Sequence, residues 1–253
     1  MSWRITPGMI TPLATGGDSV ADIFIDGALY RVHSFTTVGT SSLVVARGGA
    51  FEYLVVAGGG RGGSNAGNQS QPGGGGAGGV RSNLAPTGGG EAPEAPFIAL
   101  AGTSYMVVVG GPSQDSSFHD IISIRGGNGA TVSGTWQAAT IGGSGGGGGG
   151  GQLIGAAGTT GQGYAGGRTT SGNNGSGGGG AGGAAPNNST GATNSPGGIG
   201  VTNQITGSSV TYAVGGAGGP SNTTGAANTG NGGGGGLGAL GGSGIVIIRY
   251  QIS

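Results

Sequence analysis

The chain has 253 residues, 72 of them glycine, with 6% charged residues and a net charge of zero. All eight basic residues are arginines (Arg4, Arg31, Arg47, Arg61, Arg81, Arg125, Arg168 and Arg249), and residues 169–248 carry no charge at all. That composition lacks the basic face a nucleic-acid binder needs, and with no cysteine there are no disulfides or thiolate metal sites. No apolar run reaches transmembrane length, and the first residues lack the basic region and apolar core of a secretory signal. Assembly in a cytoplasm without membrane insertion is the expectation.

Residues 1–20 form a lead that contains Trp3, Ile5, Met9, Ile10 and Leu13. Two readings fit this apolar content: a segment packed on its own domain, or an attachment segment for a larger assembly. Residues 22–25 and 28–33 flank Asp26-Gly27, which suits a type I′ hairpin turn. The strand is expected to continue through residues 35–37. Residues 43–46 and 51–57, separated by Gly48-Gly49, read as a second hairpin. Leu54-Val55-Val56 is apolar on both faces, as in a buried strand. Further strands are expected at 104–109, at 132–141 with Trp136, at 209–214 and at 245–250, and each adjoins glycine. No sustained 3.6-residue period appears, so almost no helix is expected.

Glycine runs separate these strands, at residues 58–60, 73–76, 88–90, 145–151, 177–180 and 232–236. Such runs are flexible linkers or ordered polyglycine-II helices. The ordered form has three residues per turn and no internal hydrogen bonds. Without Cβ atoms, neighbouring helices approach closely and exchange N–H···O=C bonds. The abrupt junctions with apolar strands favour that form. At about 3.1 Å per residue, residues 145–151 span roughly 20 Å. The expected fold is all-β, with a small core from residues 21–56 and 245–253. A polyglycine-II bundle, residues 57–244, projects from it and completes a glycine-rich domain over 21–253.

Most catalytic patterns fail on inspection. Residues 54–63 enter glycine like a dinucleotide loop, but no helix and no acidic residue follow at the required spacing. His119-Asp120 beside Ser116 and Ser117 lacks a nucleophile elbow and reads as a polar strand end. Asp115 and Asp120 lack the ligand density of a calcium loop. The expectation is a protein that is not an enzyme and holds neither cofactor nor metal. Asn68, Asn174, Asn187, Asn188 and Asn222 stand in Asn-x-Ser/Thr sequons and read as polar turn residues.

Phe51-Glu-Tyr-Leu-Val-Val-Ala-Gly-Gly-Gly, Met106-Val-Val-Val-Gly-Gly, residues 200–219 and Gly241-Gly-Ser-Gly-Ile-Val-Ile-Ile-Arg-Tyr occur in that order. Together with the lead-in at residues 30–40, they resemble the glycine-rich domain of bacteriophage tail and fibre proteins. The resemblance implies a virion protein, a tail fibre or fibre-tip adhesin that acts outside the cell. By analogy with phage fibres it implies a homotrimer, with other virion proteins held through the N-terminal segment. The alternative is a purely structural extracellular filament or an ice-binding polyglycine protein. A bundle without side chains must recognise a host glycan or protein through its connecting turns. Turn residues that both donate and accept hydrogen bonds are the candidates: Asn65, Asn68, Gln69, Thr159, Thr160, Tyr164, Asn173, Asn174, Asn187, Asn188, Asn222 and Thr223. Clustering at one end is the expectation. Tyr164 either stacks on a sugar or lies over neighbouring glycines.

Overall fold

The computed structural model describes residues 11–65, 70–84, 86–132, 136–151, 153–170, 172–191 and 193–253. Its strands in chain order are β1 (Leu13–Thr15), β2 (Ser19–Ile25), β3 (Ala28–Phe35), β4 (Gly39–Arg47), β5 (Gly49–Val56), β6 (Val80–Ser82), β7 (Phe97–Ala99), β8 (Thr103–Val109), β9 (Ser116–Phe118), β10 (Ile121–Ser123), β11 (Val201–Asn203), β12 (Val210–Tyr212) and β13 (Ile245–Gln251). The protein is all-β, and among the described residues one 3-10 turn, Gly88–Gly90, is its only helical element.

The Asp-Gly hairpin forms as expected. Ile25 pairs with Ala28, and Asp26 and Gly27 take φ of 49° and 81°, the primed turn that follows the strand twist. One sheet has the order β2-β3-β13-β5-β6, with β7 also on β5; a second runs β1-β4-β8-β9-β10; β11 and β12 form a separate ribbon. Phe51, Tyr53 and Val55 of β5 and Val246, Ile248 and Tyr250 of β13 pack against Leu43, Val45, Tyr105, Val107 and Phe118 of the second sheet. The alternate residues Leu54, Val56, Ile245 and Ile247 pack with Val80, Ala181, Val201, Ile205 and Tyr212 on the opposite side. Strands β5 and β13 are therefore covered on both faces, which explains their unbroken apolar runs. Each fully buried Leu or Ile contributes about 1.5–3 kcal/mol, and this layer is where the chain offsets the entropy of ordering so much glycine.

Strands β4 and β5 are not a hairpin. The first pairs with β1 and β8, the second with β13, β6 and β7. At Gly48 the chain crosses between sheets so tightly that a Cβ there would meet the Ala99 carbonyl. The described residues of the expected strand at 132–141 form no strand either: residue 132 and residues 136–141 contribute a single bridge, Gln137 with Thr131. Strand β3 ends at Phe35 because the Thr36 and Thr37 amides donate to the Asp18 carboxylate at 2.6 and 2.8 Å. The sandwich also draws on more chain than residues 21–56 and 245–253. It includes β1, where Ala14 is buried in the core, and β6 to β10. Leu13 thus belongs to the sandwich, whereas Trp3, Ile5, Met9 and Ile10 lie outside the described residues.

The glycine segments are ordered, and their hydrogen bonds repeat every third residue. Residues 73–79 show it best. Gly73, Gly76 and Gly79 donate to Ala130, Gly127 and Ile124; Gly74 and Ala77 to Ser176 and Gly179; Gly75 and Gly78 to Gly233 and Gly230. The same stretch accepts from Ala57, Gly60 and Gly63, from Ser144 and Gly147, and from Gly216. It therefore lies at the centre of six neighbours, donating to three and accepting from three. That is the three-per-turn lattice of a polyglycine-II bundle. Residues 145–150 are buried in the same lattice, with Gly145, Gly146, Gly147, Gly148 and Gly150 all donating. A Cβ at Gly74 or Gly76 would strike a neighbouring carbonyl, from Gly216 or Ser144. Close approach, rather than turn conformation, is what demands glycine there.

Candidate functional site: the loop end of the bundle

The lattice sets two ends for every segment. Residues 57–63 run outward from β5 and residues 73–79 return to β6, paired antiparallel. Residues 124–130 leave β10 and run outward again. The end next to the β-sheets carries Ala57, Gly79 and Ile124, and the loop end lies beyond Gly63, Gly73 and Ala130.

At the loop end several turns are tied together. Asn65 N–H donates to Gly236 O at 2.8 Å and its side-chain amide to Ser70 O at 2.9 Å. Asn222 N–H donates to Gly235 O, and the Asn222 side-chain carbonyl accepts from Leu237 N–H. Gln71 N–H donates to Asn173 O, while Gly150 N–H donates to Gln71 O. The Asn174 amide donates to Gly191 O, and Gly219 N–H to Pro72 O. Asn65, Asn173, Asn174, Asn222 and Thr223 therefore share one end. Asn173, Asn222 and Thr223 are exposed, Asn65 and Asn174 half-buried. Asn68 and Gln69 lie outside the described residues.

Asn188 is a brace rather than a contact residue. It is buried, and its amide donates to Asn174 O and Gly175 O, both at 3.2 Å. Asn187 is exposed, and its side-chain carbonyl accepts from Arg168 N–H at 2.9 Å. The expected single cluster fails at Thr159, Thr160 and Tyr164, which sit at the sheet end. There Thr159 donates to Gly142 O at 2.8 Å, and Gln162 accepts from Ile124 N–H at 2.8 Å and from Val80 N–H at 3.1 Å. Alternate segments run in opposite directions, so a polar turn read along the sequence falls at either end. Tyr164 is half-buried with its hydroxyl against Gly90, over glycine rather than free.

His119 closes the β9–β10 turn with φ of 54°, edge-on to Phe97 and Tyr105. Asp115 accepts from Arg125 N–H at 2.8 Å. Among the described residues no group of three or more His, Cys, Asp or Glu converges as a metal site.

A feature that sequence reasoning missed is a polar cleft of about 540 Å³ on the bundle flank, lined by Arg61, Ser64, Asn128, Thr131, Gln137 and Thr140. Its walls come from segments far apart in sequence, and only the bundle's pairing places them side by side.

A two-sheet β-sandwich carrying a polyglycine-II bundle, with several polar turns tied together at the far end and others at the sheet end, defines the class. The chain belongs to the glycine-rich domain family, whose model matches residues 36–251. No curated protein matches the chain significantly.

Proposed function

We propose that this chain is a bacteriophage virion protein, a tail-fibre or fibre-tip adhesin whose loop-end turns bind a host surface. One observation carries the reading: Asn65, Asn173, Asn174, Asn222 and Thr223 share the end of a bundle that offers few side chains along its length. Their amides and hydroxyls pair with the hydroxyls and acetamido groups of glycans. The scaffold suits an adhesin, since the sandwich anchors one end and the turns at the other vary without touching the core. Binding, not catalysis, is the activity assigned. Residues ahead of β1, with Trp3, Ile5, Met9 and Ile10, join the domain to other virion proteins, and the assembly is a homotrimer outside the cell.

Replacing residues 189–194 with an unrelated polar turn of equal length tests the reading in a phage that carries the protein. Host range or attachment rate is expected to change, while the purified chain keeps its unfolding temperature. Unchanged attachment after exchange of this turn and of residues 220–224 would overturn the receptor role. Deleting residues 1–10 is expected to leave a folded domain that no longer enters particles.

A further inference from the structure

We propose that the flank cleft is a second binding site, specific for sugars that carry a carboxylate. It borders the Asn65 turn through Ser64, runs along the bundle from there to Arg61, and stands on its own geometry. Arg61 Nε donates to Gly238 O at 2.6 Å. Gly238 has φ of 71° and no side chain, and Arg61 Nε, Cζ and Nη2 lie 3.0–3.5 Å from where its Cβ would be. The Nε–Nη2 edge of the guanidinium is thereby turned toward Gly238. Arg31, Arg81, Arg125 and Arg249 are each paired with a carboxylate. Among the described residues the Arg61 Nη groups have no such partner, and no carboxylate lines the cleft.

The rest of the wall is biased toward donors. Asn128 Oδ1 already accepts from Arg61 N–H at 2.9 Å and from the Ser113 hydroxyl at 3.3 Å, which leaves its Nδ2 hydrogens for a ligand. Thr140 Oγ1 accepts from Asn128 N–H at 2.8 Å and Thr131 Oγ1 from Ser64 N–H at 3.3 Å, so both hydroxyls have their hydrogens to offer. Gln137 is exposed at the rim and supplies an amide that both donates and accepts. A cationic fork surrounded by donors wants an acceptor-rich anion, and planar guanidinium matches planar carboxylate in a bidentate pair. The cleft volume lies within the roughly 300–1,000 Å³ of small-molecule sites, which leaves room for sugar rings beside the carboxylate. Hydroxyl and amide groups at Ser64, Thr131, Gln137 and Thr140 are placed to read ring hydroxyls.

Titration calorimetry on the full chain tests this with three probes: a galacturonic acid trisaccharide, the neutral galactose trisaccharide and inorganic sulfate. The acidic trisaccharide is expected to bind at least tenfold tighter than either of the others. Arg61→Gln is expected to abolish that preference. Asn128→Asp keeps the Oδ1 acceptor for the Arg61 amide but replaces the donors with a negative charge, and is expected to abolish binding with the unfolding temperature retained. It serves should Arg61→Gln fold poorly. Equal binding of the acidic and neutral sugars, or full binding by both variants, overturns the proposal. Sulfate binding as tightly as the acidic sugar also overturns it, since that describes an anion site without sugar recognition. Exchange of residues 189–194 is expected to leave acidic-sugar binding intact, so the loop-end reading and this one fail separately.

Discussion

At Gly75 an added Cβ would collide with the Gly60 carbonyl, a backbone atom fixed in the lattice. At Gly102 it would meet nothing, but φ is 73°. The two positions separate collision from conformational strain. Gly102→Ala is expected to cost about 1–2 kcal/mol, the left-handed penalty of an L-residue. Gly75→Ala is expected to cost about 3 kcal/mol or more, because neither partner can move without breaking bonds to its neighbours. Denaturant unfolding of the two variants measures both, and equal losses would mean that the lattice yields. His33 gives a second test at this scale. It is buried, its Nδ1–H donates to Gly16 O at 2.7 Å, and its Nε2 lies 3.1 Å from the Tyr250 hydroxyl. Burial is the main cause that holds its pKa below the usual value, opposed by the Gly16 carbonyl and reinforced by the Arg31 charge. The unfolded chain therefore takes up a proton near pH 6.5 that the folded chain refuses. The His33 contribution is full above that pH and is lost as pH falls from there through the lower folded value. Thermal unfolding from pH 7.5 to 5 is expected to show a declining midpoint, with a shallower decline in His33→Gln. An identical slope in the variant would remove His33 as the cause.

Among the elements, β13 has the most at stake, lying between β3 and β5 with both faces covered. Ile247→Ala is expected to cost about 2–5 kcal/mol, as deletion of a fully buried aliphatic side chain does. Arg249 on the same strand is buried, paired with Glu52 of β5, and donates from Nη1 to Gln204 O at 3.1 Å and Ile205 O at 3.0 Å. It ties the β11–β12 ribbon to the sheet. Glu52→Gln leaves that charge without its carboxylate and is expected to cost about 3 kcal/mol; equilibrium unfolding near neutral pH reads it, and a loss under 1 kcal/mol would mean that the backbone carbonyls suffice. β13 was legible from its apolar run, and the first hairpin from Asp26-Gly27, because both signals are local. The β4–β5 junction was not. Leu43 and Val45 face Phe51 and Tyr53 across the sandwich, and alternation alone does not tell a hairpin from a crossing between sheets. The turn containing Tyr164 looked like the other polar turns because composition carries no record of which way a segment runs. Nor could the Arg61 cleft be read, since Asn128 and Thr140 reach Arg61 only through bundle pairing.

For the whole molecule, the bundle raises the question of what makes glycine cooperative without side chains. Each N–H···O=C bond contributes on the order of 1 kcal/mol net, while ordering each residue costs about 1–2 kcal/mol of backbone entropy. An isolated glycine helix has no internal bonds and stays unfolded, whereas a segment at the lattice centre shares bonds with six neighbours and gains only when all of them are present. The sandwich fixes many of the segment ends, and residues such as Ala77, Val80 and Ala181 join the two parts through a common apolar cluster. Bundle and sandwich are therefore expected to unfold together. Native-state hydrogen exchange tests this: the amides of Gly75, Gly76 and Gly147 should exchange only through global unfolding, with the same denaturant dependence as Val55 and Ile247 in the sheet. The amide of Gly27 in the first hairpin turn should exchange orders of magnitude faster. Exchange at Gly75 through a smaller opening, with Ile247 still protected, would show that the bundle opens on a preformed sandwich and that its order depends on the sheet without reinforcing it.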